Sequence, residues 1–365
     1  MKTPLVALLL ATLPSHAAPL STESLRDEIS TRLAIPLLKN KAAVGLVVGV
    51  VRGDESLLMG FGEIRKGSGV VPTAETRFPI PSITKTFTAL ALARQAETES
   101  GFSLEAPLRE LAPFPLSRGL GARPLRSILD QSSGLPTLPD DFRPANERDP
   151  YADYTLERMK AFVARVELEA PAYRYSNLGY GLAGLVGSSR RRETYGAWLK
   201  RLVLDPLGLP NTGVQTEIGP ARATGHDRDQ NVTTDWQLPE GFEGTGTVFS
   251  TGQDLLSFLK AQLRPQGPLA SAIRLSRKPS FTAEPPLSLG LAWHLFRLPP
   301  AEDPIVFHNG MLGGFTSAMA FDPGRDRGVF VLSNQSPLYA KDGSPPSPEA
   351  MDTLDLVALE LLGRL

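Results

Sequence analysis

Cysteine is missing altogether from the 365 residues, which excludes disulfides, thiolate catalysis and cysteine-ligated zinc. Histidine is scarce: the chain has four, His16, His226, His294 and His308, and none stands in HExxH or another metal-ligand spacing. Neither a metal nor a cofactor is expected. Basic charge has no surplus, with Lys+Arg 38 against Asp+Glu 39 and a net charge of -1, so a nucleic-acid partner is not expected. Beyond the N-terminus no apolar run reaches the ~20 residues of a membrane span. No GxGxxG follows a strand pattern, no glycine loop ends in Lys-Ser or Lys-Thr, and GxSxG does not occur.

What is present suits a folded protein with a sizeable core. Hydrophobic residues make up 41% of the chain, and 33 prolines with 33 glycines imply many turns without low complexity. The N-terminus, MKTPLVALLLATLPSHAAPL, pairs Lys2 with an apolar stretch from Val6 to Leu13 and small residues at Ser15 and Ala17. That pattern predicts a signal peptide over 1–17 and export, to the periplasm or the medium, of a single domain spanning 18–365.

Two β-rich runs around Arg52-Gly53-Asp54-Glu55 predict an antiparallel hairpin whose first strand is apolar on both faces. Helical patterns then dominate about 86–260: Thr86–Glu97, Leu125–Gln131, Leu156–Val166, Leu178–Ser188 and Thr194–Leu204, then a helix opened by Thr251 and Asp254 as a capping pair. Short β-type runs return after 285, and an amphipathic helix closes the chain. The expected fold class is α+β: one antiparallel sheet built from both chain ends (about 20–80 and 285–365), flanked by the terminal helices, with a helical lobe inserted and a cleft between the lobes.

Ser82 and Lys85 stand three apart at the start of the predicted helix, hence on one face. A first-turn serine offers a hydroxyl and an unpaired backbone N–H, and a buried lysine can become a base. The spacing is cheap, since Ser257 and Lys260 repeat it on what reads as a solvated helix face. Two further motifs add weight. Tyr175-Ser176-Asn177 sits in a turn before a helix, its phenol fit to relay a proton and its amide able both to donate to and accept from a substrate amide. His308-Asn309-Gly310 runs off a strand into glycines, where Gly310 would let a substrate backbone approach the strand edge.

SxxK, YxN and HxG in this order resemble the serine β-lactamase and penicillin-binding DD-peptidase superfamily, and within it the class C branch and its β-lactamase-related hydrolases. LRSILDQSSGLP and VLDPLGLPNTG are similar to further stretches of that branch. The resemblance implies Ser82 as the acylated nucleophile, Lys85 as its base and Tyr175 as a proton shuttle. It implies Asn177 as holder of the substrate's side-chain amide, with Asn309 and Gly310 along the substrate, and the backbone N–H groups of Ser82 and Met311 as oxyanion donors. His308 takes the place of the third-motif lysine or histidine. Departures are Asn309 for threonine, Gln131 for histidine, Pro81 before the serine, and His308, which draws a carboxylate less than a lysine does. The implied activity is hydrolysis of β-lactams or D-alanyl-D-alanine-type peptides through an acyl-enzyme, on a small-molecule or peptidoglycan-peptide substrate. An esterase or D-amino-acid amidase and a slow-deacylating penicillin sensor are the alternatives. Oligomeric state is not legible.

Overall fold

The computed structural model describes residues 20–214, 222–297, 303–338 and 348–365. The predicted signal peptide therefore lies outside the described residues. Strands run in chain order as β1 (Gly45–Arg52), β2 (Glu55–Gly62), β3 (Arg77–Pro79), β4 (Gly213–Val214), β5 (Val248–Thr251), β6 (Phe281–Thr282), β7 (Leu287–Leu289), β8 (His294–Phe296), β9 (Ile305–Leu312), β10 (Phe315–Asp322) and β11 (Arg327–Ser333). The helices used below are α1 (Thr22–Glu28), α2 (Thr84–Thr98), α3 (Leu125–Leu129), α4 (Leu156–Arg165), α5 (Asn177–Ser189), α6 (Tyr195–Leu199), α7 (Glu243–Gly246), α8 (Gly252–Leu263), α9 (Ala270–Ser276) and α10 (Pro348–Arg364).

Eight strands form one antiparallel sheet in the order β2-β1-β11-β10-β9-β8-β7-β6. The expected hairpin pairs Arg52 with Glu55, and β1 takes β11 on its other side, Leu46 opposite Ser333, so the two ends of the chain meet at mid-sheet. Period-two alternation divides β1 between two cores. Val47 and Val51 face the helical lobe, while Leu46, Val48 and Val50 face the terminal helices. Burial on both faces explains why this strand reads as continuously apolar. The same alternation governs β9, where Val306 packs toward the helical lobe and Ile305 and Phe307 toward α10.

Several local expectations meet their physical reasons. Thr251 Oγ1 accepts from Asp254 N at 3.1 Å and caps α8. Helix α2 begins two residues earlier than its apolar pattern and buries nearly every side chain, so apolar periodicity marks its start poorly. Pro36 does not break the N-terminal helix: a π-helical stretch at Ile29–Ala34 precedes it and a helical turn continues from Ile35 to Lys39. One element had no signal. A three-stranded sheet, β3-β5-β4, joins two strands from inside the region that reads as helical to β3 just ahead of it. Its strands are two to four residues long, too short for a visible alternation.

That small sheet positions the site. Pairing of Pro79 with Phe249, together with Ile80 N donating to Val248 O at 2.8 Å, draws α7 against the start of α2.

Candidate active site

Ser82 sits in the turn that leads into α2, and Lys85 N donates to Ser82 O at 3.0 Å, a tight i→i+3 closure. The turn aims both side chains one way. Lys85 Nζ donates to Ser82 Oγ at 2.9 Å and to Thr245 O of α7 at 2.9 Å. Lys85 is fully buried, and its Nζ lies 5.0 Å from the ring centroid of Tyr175 and 5.9 Å from that of Tyr180. Among the described residues no carboxylate pairs with it, and burial holds its pKa well below the ordinary lysine value. A neutral amine at hydrogen-bond distance from a hydroxyl can take its proton.

Tyr175 reaches the same point from the extended segment before α5. Burial raises its pKa, partly offset by its hydrogen bond with the Ser82 side chain. The turn carrying it is braced by local polar contacts. Thr137 Oγ1 donates to Tyr175 O at 2.8 Å, Ser176 Oγ caps α5 by accepting from Gly179 N at 2.9 Å, and Ser176 N donates to Gln131 Oε1 at 2.5 Å. Gln131 adopts a left-handed φ of 60° just after α3, which turns its amide toward this segment. The residue that departs from the family pattern thus serves as a brace for Tyr175.

Strand β9 closes the opposite side. A Cβ placed on Gly310 would lie 2.4 Å from Ser82 N, so the strand crosses the Ser82 amide where only hydrogen fits. Strand β8 pairs with β9 only over Ile305–Phe307, so beyond His308 that edge of β9 carries no β8 partner. Met311 and Leu312 line a small cleft together with Ser82, Tyr151, Asn177 and Trp236. No described residue lining it is charged.

His308 is fully buried on the helical-lobe face of β9, its ring 6.4 Å from that of Tyr175. Its Nδ1 bonds the Asn309 carbonyl at 2.6 Å, which makes Nδ1 the protonated nitrogen and leaves a lone pair on Nε2. Nε2 is buried without a hydrogen-bond partner among the described residues. Burial, then the nearby His294 ring at 5.4 Å, then Lys85 hold its pKa well below the ordinary histidine value. His294 is itself buried, pushed down to about 4, and its Nε2 shares a 2.9 Å hydrogen bond with the Tyr173 hydroxyl.

Asn309 is the residue of the expected set whose side chain does not face the cleft. Period two turns it to the other side of β9, where Nδ2 donates to Asp355 Oδ2 of α10 at 2.5 Å. The Asn309 side chain is thus tied to α10, which leaves its backbone as the part of the residue at the strand edge. The twin spacing at Ser257 and Lys260 is likewise structural. Ser257 Oγ donates to Gln253 O at 3.2 Å and Lys260 Nζ to Ser56 Oγ at 3.0 Å, both on the exposed face of α8.

Residues without a legible motif complete the site. Thr245 lies 160 positions from Lys85, gives it a carbonyl, and donates from Oγ1 to Asn177 O at 3.2 Å. Tyr151 and Trp236 come from irregular stretches, their rings 5.7 Å apart. Among the described residues no group of acidic or histidine side chains could hold a metal, and no helix is long and apolar enough to cross a membrane.

Comparison with known proteins agrees with this geometry. The family described as Beta-lactamase matches residues 31–345. Protein flp of Staphylococcus aureus (strain MRSA252) is 25% identical over 332 residues, 87% of this chain, and this chain spans 64% of that relative's length. The D-alanyl-D-alanine-carboxypeptidase/endopeptidase AmpH of Escherichia coli (strain K12) is 24% identical over 349 residues, covering 88% of each chain. The crystal structure titled Beta-Lactamase/D-Alanine Carboxypeptidase from Pseudomonas syringae superposes with a TM-score of 0.76 at 19% identity, covering 92% of this chain and 99% of that one. That likeness gives the fold: an antiparallel sheet with flanking helices, mixed α+β. With a family match across most of its length, the chain belongs to the β-lactamase family, within the serine β-lactamase and penicillin-binding protein superfamily.

Proposed function

We propose that this chain hydrolyses its substrate through an acyl-enzyme on Ser82. The observation that carries the reading is Lys85 Nζ at 2.9 Å from Ser82 Oγ, fully buried and without a carboxylate partner among the described residues. Lys85 takes the Ser82 proton as Oγ attacks the carbonyl. The oxyanion is received by the backbone N–H groups of Ser82 and Met311, worth about 10²–10³ in rate per donor. Tyr175 passes the proton to the leaving group, and a water then releases the acyl group with proton transfers in the reverse sense. The leading substrates are D-alanyl peptides or β-lactams, which the names of AmpH and of the Pseudomonas syringae structure favour. A second reading, esters or D-amino-acid amides, is favoured by the uncharged cleft lining and the buried neutral His308. Export by a signal peptide over 1–17 belongs to the same proposal. The mass of the mature N-terminus tests it.

The test of the chemistry is hydrolysis of nitrocefin and of p-nitrophenyl esters by the enzyme and by Ser82→Ala, with intact mass after incubation with a penicillin. Unchanged hydrolysis in Ser82→Ala overturns the reading. Rapid turnover of the penicillin indicates a β-lactamase, and a stable adduct on Ser82 a peptidase or penicillin sensor. Ester cleavage without an adduct favours the second reading.

A further inference from the structure

Helix α2 carries a buried hydroxyl one turn beyond Lys85. Thr88 stands three positions after the lysine, hence on the same face, and is fully buried. Thr88 Oγ1 donates to Gly244 O of α7 at 2.9 Å, while Lys85 Nζ donates to the next carbonyl, Thr245 O, at 2.9 Å. Two side chains one turn apart on α2 thus hold two successive carbonyls of α7. The other carbonyl within reach of Thr88 Oγ1 is Thr84 O at 3.2 Å, which already serves the helical ladder of α2.

Tyr195 of α6 completes the chain of hydroxyls. Its side chain is buried, and its hydroxyl lies 2.8 Å from Thr88 Oγ1. Either oxygen can donate across that contact, but the carbonyls beside Thr88 can only accept. Thr88 therefore directs its one hydrogen to a carbonyl, and Tyr195 donates to Thr88. The phenol has little freedom to withdraw, because Trp198 Nε1 of the same short helix donates to Gln95 Oε1 of α2 at 2.9 Å.

The remaining contacts of α7 limit its approach more than its sliding. A Cβ on Gly244 would lie 2.4 Å from Tyr180 O, and one on Gly184 would lie 3.3 Å from Gly244 Cα. There α7 rests on the backbone of α5 with no side chains to interlock. Just past α7, Val248 N donates to Thr84 Oγ1 at 3.2 Å. Thr84 and Thr88 thus anchor the chain on either side of the carbonyl that takes Lys85.

We propose that Thr88 and Tyr195 are positioning residues that hold the Thr245 carbonyl against Lys85 Nζ, and so keep the amine aimed at Ser82 Oγ. The effect on rate rests on the acyl-enzyme reading above, whereas the effect on Lys85 does not. An acceptor favours the ammonium form of the amine that donates to it, so a loosened Thr245 carbonyl moves the Lys85 titration further toward acid. The titratable groups facing Lys85 are the phenols of Tyr175 and Tyr180 and the His308 ring, all kept neutral near neutral pH by burial. On α7 the Glu243 carboxyl is pushed up to about 7 by burial, and it acts on Tyr195. All of these are common to the enzyme and the variants below.

The experiment follows the Lys85 titration by NMR in protein carrying isotope-labelled lysine Cε, with Lys85→Met to assign the signal. Thr88→Val keeps the shape and removes the hydroxyl. It is expected to move the titration toward acid by about half a pH unit or more, and to lower kcat/KM for p-nitrophenyl acetate roughly 10-fold. Thr88→Ser keeps the hydroxyl and is expected to restore both values. Tyr195→Phe removes one oxygen and is expected to move both in the same direction by less. It carries the test alone if Thr88→Val does not fold. A merely structural role for the pair lowers Tm and leaves the Lys85 titration in place, which overturns the proposal. So does a titration that moves toward base, or a Thr88→Ser that behaves like Thr88→Val. If Ser82→Ala cleaves the ester as fast as the enzyme, the acyl-enzyme reading falls and the rate effect with it, and the titration decides the hold on Lys85. If Ser82→Ala is inactive and the titration stays in place, only the role of Thr88 and Tyr195 falls.

Discussion

Lys85 Nζ is shared between Ser82 Oγ and the Thr245 carbonyl, each at 2.9 Å. The carbonyl fixes the amine in place without supplying a negative charge that would keep it protonated. Burial is the first cause of its lowered pKa. The consequence, on the proposed reading, is an amine held beside Ser82 Oγ and shielded from water.

Replacing this lysine is expected to separate activity from stability. Lys85→Met loses at least the 10²–10⁴-fold of a general base in kcat/KM, and Lys85→Arg fails comparably because a guanidinium stays charged. With its folded pKa below the unfolded value of about 10.4, Lys85 binds fewer protons folded than unfolded between those two values. Stability relative to Lys85→Met therefore rises with pH across that window and is lost as pH falls through the folded pKa. Tm of both proteins from pH 6 to 10 checks it, and a gap independent of pH counts against a depressed Lys85.

Gly310→Ala is expected to disable the enzyme through geometry. The new Cβ would lie 2.4 Å from Ser82 N and 2.9 Å from Pro81 Cβ, so β9 or the Ser82 turn must shift. Misplacement of about 1 Å costs on the order of 10² in rate. Crowding costs about 1–3 kcal/mol in stability. Steady-state kinetics and chemical denaturation on one preparation measure both, and unchanged values of each would contradict the close approach.

His308 is expected to contribute no titration near neutral pH, because burial, His294 and Lys85 all oppose its protonation. His308 should add no acidic limb near pH 6.5 to the kcat/KM profile, and the ring should titrate only well below that in an NMR series. A limb at pH 6.5 that disappears in His308→Gln would show the opposite.

Asn309→Ala is expected to affect stability and leave substrate binding alone. Asn309 Nδ2 donates to Asp355, whose side chain is 1% exposed, so the variant deprives a buried carboxylate of a donor. A loss of about 1–3 kcal/mol follows, with KM within about twofold. A large rise in KM at unchanged Tm would return Asn309 to the cleft.

What the amino-acid sequence determined by itself was local. Alternation and apolar runs place the β1–β2 hairpin and the late strands, and capping residues place α8. The register of three residues in the Ser82 turn puts Lys85 beside Ser82. Each rests on neighbours a few positions apart, where backbone periodicity decides which way a side chain points. Only the tertiary structure decided the rest. The Thr245 carbonyl, the Tyr151 ring and the neutral state of His308 depend on contacts between residues far apart in the chain. Strands β3, β4 and β5, which draw α7 and its Thr245 carbonyl to the start of α2, are too short to leave a pattern. The face taken by Asn309 follows from alternation along β9, yet its meaning appears only once α10 places Asp355 behind the sheet. The pairing of Ser82 with Lys85 was written in a tetrapeptide, while the burial and charge of the cleft around it were set by packing.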